Sequence, residues 1–303
     1  MNPPSFLAIT GPTCSGKTAL SLRVAERLQG EIISMDSRQV YRGMDVGTDK
    51  VSLPDRARVP HHGLDLLDPD ETYSAGAFAR DARRWIRDIS GRGRVPILAG
   101  GTGFFLKAIL EPIFKEPELE PGRREALKAF LAGESSDRLA SWVRRLDPER
   151  AELAVAGGPQ RMIRTLEVAL LTGRPLSRWH RIQEADGPGL EGMVFLLMKD
   201  RERLYEEINV RVGRMVERGL VEEVRRLLEA GYRADDPGMS GTGYREVAEY
   251  LAEERSLEEA MDTTRRVTRG YARRQLTWFR NQLPEDTIVL DAERSKVELA
   301  EEV

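Results

Sequence analysis

Cysteine is nearly absent from this chain. Its 303 residues contain one, Cys14, so no intrachain disulfide can form. Histidine is almost as scarce: His61 and His62 are adjacent, and neighbouring side chains point apart with no third ligand at a recognised spacing, so a metal centre is not expected there. No apolar run approaches the length of a membrane span, and Met1-Asn2-Pro3-Pro4 lacks the basic and apolar regions of a signal peptide, which leads to the expectation of a cytoplasmic protein with no membrane partner. Internal repeats and low-complexity tracts are missing. So are an N-K-x-D guanine reader and an apolar strand ending in a Walker-B aspartate beside a switch motif, which disfavours a regulatory GTPase.

What is present is a soluble, globular composition of 40% hydrophobic and 32% charged residues, in a chain long enough for more than one domain. The net charge of −3 is unevenly spread. Residues 265–280 read RRVTRGYARRQLTWFR, with arginines and no acid, just after Glu253-Glu254 and Glu258-Glu259. An otherwise acidic protein thus carries a local basic face.

The most specific stretch is Gly11-Pro12-Thr13-Cys14-Ser15-Gly16-Lys17-Thr18, between the apolar strand Ser5 to Thr10 and the helical pattern Thr18 to Leu28. The spacing G-x-x-x-x-G-K-[ST] lets backbone N–H groups turn inward around phosphate oxygens, while Lys17 supplies a cation and Thr18 a ligand for Mg²⁺. The positive end of the following helix reinforces the anion site. Cys14 reads as a small loop-filling residue rather than as a reactive thiol.

Further along, a second strand, Glu31 to Met35, runs into Asp36, and ligands gather at the carboxyl ends of such strands. Residues 37–75 show little periodicity and many turn formers, and a loop of that length is usually functional. Ser74 to Ile89 has the apolar stripe Phe78, Ala82, Trp85 and Ile89; Arg94 to Ala99 is a strand ending on Gly100-Gly101-Thr102-Gly103. The stretch Pro112 to Pro121 reads as a linker. Helical spacing without strands follows over Arg124 to Leu131, Ser136 to Leu146 and Gln160 to Leu171, as far as Gly187-Pro188-Gly189. The apolar run Met193 to Met198 resumes the sheet, Leu204 to Ala230 reads as one long helical stretch, and Pro237 to Arg245 is another Gly-rich connection. Helices over Glu246 to Glu254 and Leu257 to Gln282 and a strand at Thr287 to Leu290 complete the pattern. On the second of these helices Trp278 and Phe279 can serve as anchors. The fold class expected is α/β: a P-loop NTPase-like parallel sheet flanked by helices, with residues 1–115 and 190–303 as catalytic core and 116–189 as an inserted all-helical subdomain.

A phosphate loop alone permits a kinase, a switch NTPase or any enzyme that handles a diphosphate. An aspartate on a strand end, a Gly-Gly-Thr turn and arginines on later helices suit a transferase whose acceptor is deprotonated by a carboxylate while cations take the departing phosphate charge. A small-molecule kinase filled by ATP and an ATP-dependent RNA-binding module remain open on these residues alone. On its motifs, however, the chain resembles the tRNA dimethylallyltransferase (tRNA isopentenyltransferase) family of bacterial type: GPTCSGKT, DSRQVYRGMDVGT from Asp36, PHHGLDLLDP from Pro60, PILAGGTGFF from Pro96, PQRMIRTLEV from Pro159 and ARRQLTWFR from Ala272, in that order over residues 5–283.

That resemblance implies transfer of a dimethylallyl group from dimethylallyl diphosphate to N6 of the adenosine immediately 3′ of the anticodon, with the phosphate loop, Gly11 to Thr18, holding the donor's diphosphate. Carried over by motif, Asp36 is the base, Thr102 lies at the acceptor, and Arg211 assists the leaving group. Asp36, Ser37, Arg38, Gln39, Thr102, Arg124, Gln160, Arg161, Met162, Ile163 and Arg164 match segments that touch the anticodon stem-loop of tRNA, Mg²⁺ is the implied cofactor, and a monomer is expected. The resemblance departs at Ser240-Gly241-Thr242-Gly243-Tyr244-Arg245, where the family commonly has a longer apolar residue before Gly-Tyr-Arg. It also departs in showing no C-terminal Cys-His spacing such as eukaryotic relatives carry.

Overall fold

The computed structural model describes residues 5–111, 117, 119–182 and 189–303. Most of the stretch 112–121 and of the turn at 187–189, read from the sequence as bounds of the insert, and residues 1–4 lie outside the described residues. Two compact units emerge: Met1–Glu111 with Gly189–Val303, and Pro112–Pro188.

The first unit is built on six parallel strands, β1 (Phe6–Thr10), β2 (Glu31–Ser34), β3 (His61–His62), β4 (Pro96–Gly100), β5 (Gly192–Met198) and β6 (Ile288–Asp291), in the order β3-β2-β4-β1-β5-β6. Strands covered on both faces read as continuous apolar runs, and every residue of β1 is buried. Alternate residues of the strands, Leu7, Ile9, Ile32, Ile97, Phe195, Leu197 and Leu290, pack with Leu20 and Val24 of the helix Lys17–Leu28 and with Leu299 of the helix Lys296–Glu302. The helix Ala75–Gly91, started by the Ser74 hydroxyl accepting from Ala77 N, packs on β2 and β4. Phe78, Ala82 and Ile89 are buried as the stripe requires; Ile86 is also buried, whereas Trp85 is only half-buried beside His62.

Three readings need correction. Residues 37–75 are not one loop: a helix, Leu53–Arg58, and the edge strand β3 lie within them, and elements of six and two residues are too short to show a period. Leu204 to Ala230 is not one helix but two, Arg201–Glu217 and Leu220–Glu229, separated at Gly219, whose φ of +94° ends the first and opens the second. The C-terminal helix Lys296–Glu302, capped by Ser295, has no counterpart in the reading above.

Among its described residues the second unit is helical, with Pro121–Ala132, Ser136–Leu146, Ala151–Ala156, Pro159–Thr172 and Leu176–Ile182 and no strand. Leu131, Leu139, Val143, Ala154, Met162, Ile163 and Leu166 form its core.

Candidate active site

Register brings three strand ends together. Thr10 of β1 is paired with Gly100 of β4 and Leu196 of β5, and Ser34 of β2 with Ala99. The chain leaves β1 as the phosphate loop, β2 as Asp36 and β4 as the Gly-Gly-Thr turn, so all three emerge side by side at the carboxyl edge where parallel sheets bind ligands. Thr10 Oγ1 donates to Gly100 O at 3.0 Å, Met35 N to Ala99 O at 2.8 Å and Thr102 N to Met35 O at 3.3 Å. The approach is so close that a Cβ on Gly100 would stand 2.0 Å from Met35 O, which fixes glycine there.

These ends open on a cavity of about 1090 Å³, lined by Thr13, Cys14 and Gly16 to Thr18, by Asp36 to Gln39, by Gly47 to Asp49, by Gly100 and Gly101, and by Arg211, Arg214, Arg218, Tyr271, Arg274 and Gln275. All of them belong to the first unit.

One wall is cationic. Lys17 Nζ donates to Pro12 O at 2.6 Å across the loop. Burial lowers its pKa from 10.5 to about 8 in spite of the nearby Asp36, because desolvation disfavours the ammonium. Arg211, on the helix Arg201–Glu217, donates from Nη1 to Thr13 Oγ1 at 2.6 Å, approaches Cys14 Sγ at 3.9 Å, and pairs at 3.8 Å with Asp49. It faces the loop rather than solvent. Lys17 and Arg211 thus flank the concave side of a loop built to receive phosphate oxygens.

A second part of the lining is acidic and polar. One carboxylate oxygen of Asp36 accepts from Arg38 N at 2.8 Å, and Thr102 Oγ1 accepts from Ser37 N at 3.2 Å. Arg38 reaches the Gly-rich connection, donating to Pro237 O at 2.6 Å, and Gln39 Nε2 donates to Thr48 O at 3.3 Å. Tyr271 lines the same cavity, and desolvation of its hydroxyl together with the charge of Asp36 pushes its pKa up to about 12, so it stays protonated at neutral pH.

Gln275, on the helix Leu257–Gln282, was not singled out by sequence, and it ties the two parts of the lining. Its Oε1 accepts from Thr13 N at 3.0 Å and its Nε2 donates to Gly101 O at 2.7 Å. An uncharged residue inside a run of arginines carries no periodic or motif signal of its own. The anchors expected beside it are in place: Phe279 is buried, and Trp278 packs edge-on against it. Of the arginines in the basic run 265–280, Arg269 turns inward to Asn209 Oδ1 at 2.8 Å, while Arg266, Arg273 and Arg280 are exposed.

Arg124, Gln160, Arg161, Met162, Ile163 and Arg164 belong to the second unit. Met162 and Ile163 are buried in its core; Gln160 and Arg161 are exposed. Arg124 and Arg164 both pair with the buried Glu167, at 3.2 and 3.7 Å. His61 Nδ1 lies 2.7 Å from Val59 O and His62 Nε2 2.8 Å from Glu31 Oε2. Among the described residues no three His, Cys, Asp or Glu side chains cluster as metal ligands, and no helix is long and apolar enough to cross a membrane.

The family model described as IPP transferase matches residues 39–282, and that described as isopentenyl transferase matches residues 4–55. A tRNA dimethylallyltransferase of Solibacter usitatus is 42% identical over 277 residues, 91% of this chain and 90% of the relative; one of Geobacillus thermodenitrificans is 41% identical over 298 residues, 98% and 94%. Among solved structures, the full-length tRNA isopentenylpyrophosphate transferase of Bacillus halodurans superposes with a TM-score of 0.71 at 37% identity, covering 99% of this chain and 94% of the other. A eukaryotic dimethylallyltransferase acting on tRNA superposes at 0.79 with 27% identity, covering 95% and 73%. With a phosphate loop, an aspartate and a Gly-Gly-Thr turn on three adjacent strand ends, and with these relatives over nearly its whole length, the chain belongs to the tRNA dimethylallyltransferase family.

Proposed function

We propose that the protein transfers the dimethylallyl group of dimethylallyl diphosphate to N6 of the adenosine immediately 3′ of the anticodon in tRNA, releasing diphosphate, and that it acts as a cytoplasmic monomer. The observation that carries this reading is one cavity lined by Lys17, Arg211 and the phosphate loop and by Asp36, whose neighbour Ser37 donates from its backbone to Thr102 Oγ1.

The two parts of the lining answer two separate barriers. An adenine amine is a weak nucleophile, so Asp36 takes its proton as the nitrogen bonds to C1 of the donor. The C1–O bond breaks with its electron pair passing to the diphosphate, whose growing charge Lys17, Arg211 and the loop's N–H groups stabilise. Thr102, held against the backbone that follows Asp36, orients the amine. Ser37, Arg38 and Gln39 at the mouth, and Arg124, Gln160, Arg161 and Arg164 on the second unit, contact the RNA, with Met162 and Ile163 holding that segment to its core. The acceptor base must leave its stack to reach the donor.

Mg²⁺ fits the donor set. Thr18 lines the cavity and offers a hydroxyl, and with no cluster of three metal-ligating side chains among the described residues, phosphate oxygens and water would supply the other ligands, the hard-oxygen environment this ion prefers. Bound there, it would neutralise charge on the diphosphate.

Incubation with Mg²⁺, dimethylallyl diphosphate and unmodified tRNA, followed by mass spectrometry of the nucleosides, should yield N6-dimethylallyladenosine. Phosphorylation of a metabolite, or ATP hydrolysis without that nucleoside, would return the site to the kinase or RNA-binding alternatives.

A further inference from the structure

The Gly-rich connection Pro237 to Arg245 and the buried Glu223 have no part in the chemistry above, yet they meet beside it. Glu223, on the helix Leu220–Glu229, is 2% exposed. A buried carboxylate is costly unless fully hydrogen-bonded, and this one collects three successive main-chain donors. Asp45 N donates to Oε2 at 3.0 Å, Val46 N to Oε2 at 2.8 Å, and Gly47 N to Oε1 at 3.1 Å. The Tyr244 hydroxyl donates to Oε1 at 2.6 Å.

The segment so held ends at the cavity. Thr48 O and Asp49 O accept from Gln39 Nε2 at 3.3 and 3.5 Å, and the Asp49 carboxylate faces Arg211 Nε at 3.8 Å and Arg218 Nη1 at 2.9 Å. Arg211 Nε is buried and makes no hydrogen bond, and the ion pair it forms is with Asp49, so the charge of Asp49 helps to steer the guanidinium on that side. A shift of the 45–49 segment by a fraction of an ångström would therefore reach the group that meets the leaving diphosphate. The same connection also fixes Arg38, which donates to Pro237 O and, at 3.4 Å, to Ser240 Oγ.

We propose that Glu223 and Tyr244 are positioning residues which set the 45–49 segment, and through Asp49 the orientation of Arg211, for departure of the diphosphate. This rests on the transferase reading of the site. Prenyl transfer is measured for E223Q, Y244F, D49N and the E223Q/D49N double variant, alongside thermal unfolding of each. E223Q sets an amide NH₂ against main-chain donors and should lower kcat by about tenfold or more, with KM for tRNA within about twofold. Y244F keeps the ring and should lower kcat by about threefold. The double variant should be no slower than E223Q alone, because both changes act through one contact. Should E223Q fail to fold, Y244F with D49N and their combination form the same cycle. Unchanged kcat in Y244F and E223Q, or losses that multiply in the double variant, would overturn the proposal. Wild-type protein that makes no prenylated adenosine would instead refute the transferase reading itself.

Discussion

At the scale of single residues, the proposed function assigns separate roles to Asp36 and Lys17, and each gives a separate test. Asp36→Asn keeps the side chain's size and its acceptor for Arg38 N but removes the base, so turnover should fall by about 10² to 10⁴-fold while tRNA binding is retained. Unchanged turnover would remove Asp36 from the reaction. Lys17 has a folded-state pKa lowered to about 8, so free enzyme loses the ammonium proton as pH rises through that value. A bound diphosphate favours the charged form and raises the pKa in the complex. Affinity for dimethylallyl diphosphate should thus be highest below pH 8 and weaken above it, by titration calorimetry; affinity flat from pH 7 to 9 would show that Lys17 does not face the diphosphate. Both residues were legible in the sequence because a motif or a strand end marks them. Arg211 was legible only through resemblance, since arginines on a helix face are ordinarily solvated, and its bond to Thr13 is a tertiary fact.

At the scale of elements, strands were the easiest to read: five of six are apolar runs bounded by turn formers, while β3 escaped because two histidines carry no pattern. Helix boundaries failed where one glycine sits inside an otherwise unbroken period, as at Gly219. The helix Leu257–Gln282 was found at its full length, but its function was read from its arginines, whereas its most informative side chain is Gln275. That residue joins the phosphate loop to the Gly-Gly-Thr turn, and on the proposed function a loss of alignment between the groups they hold is costly out of proportion to the bonds broken. Gln275→Leu should lower kcat by roughly tenfold or more with a smaller change in KM for the donor. A purely higher KM at constant kcat would mean that Gln275 supports binding alone.

At the scale of the whole molecule, the proposed binding of tRNA by a chain with net charge −3 requires local basic surfaces, for which Arg266, Arg273, Arg280 and Arg161 are exposed. Such binding releases counterions, so kcat/KM for tRNA should fall by about tenfold or more between roughly 50 and 200 mM salt, with kcat little changed. Salt-independent kcat/KM would place recognition elsewhere. The second unit was legible as a run of helices without strands, but its shorter helices, Ala151–Ala156 and Leu176–Ile182, were not, since one or two turns give too few positions to define a face. The central claim is that the cradle from Gly11 to Thr18 holds a prenyl donor opposite a tRNA base. The most direct test incubates the protein with unmodified tRNA, Mg²⁺ and labelled dimethylallyl diphosphate, with ATP in one arm only, then maps the label to a nucleotide and counts diphosphate released. The account predicts one diphosphate per label, on the adenosine 3′ of the anticodon, with no need for ATP. Label that requires ATP, lies elsewhere, or is absent while diphosphate is released would contradict it.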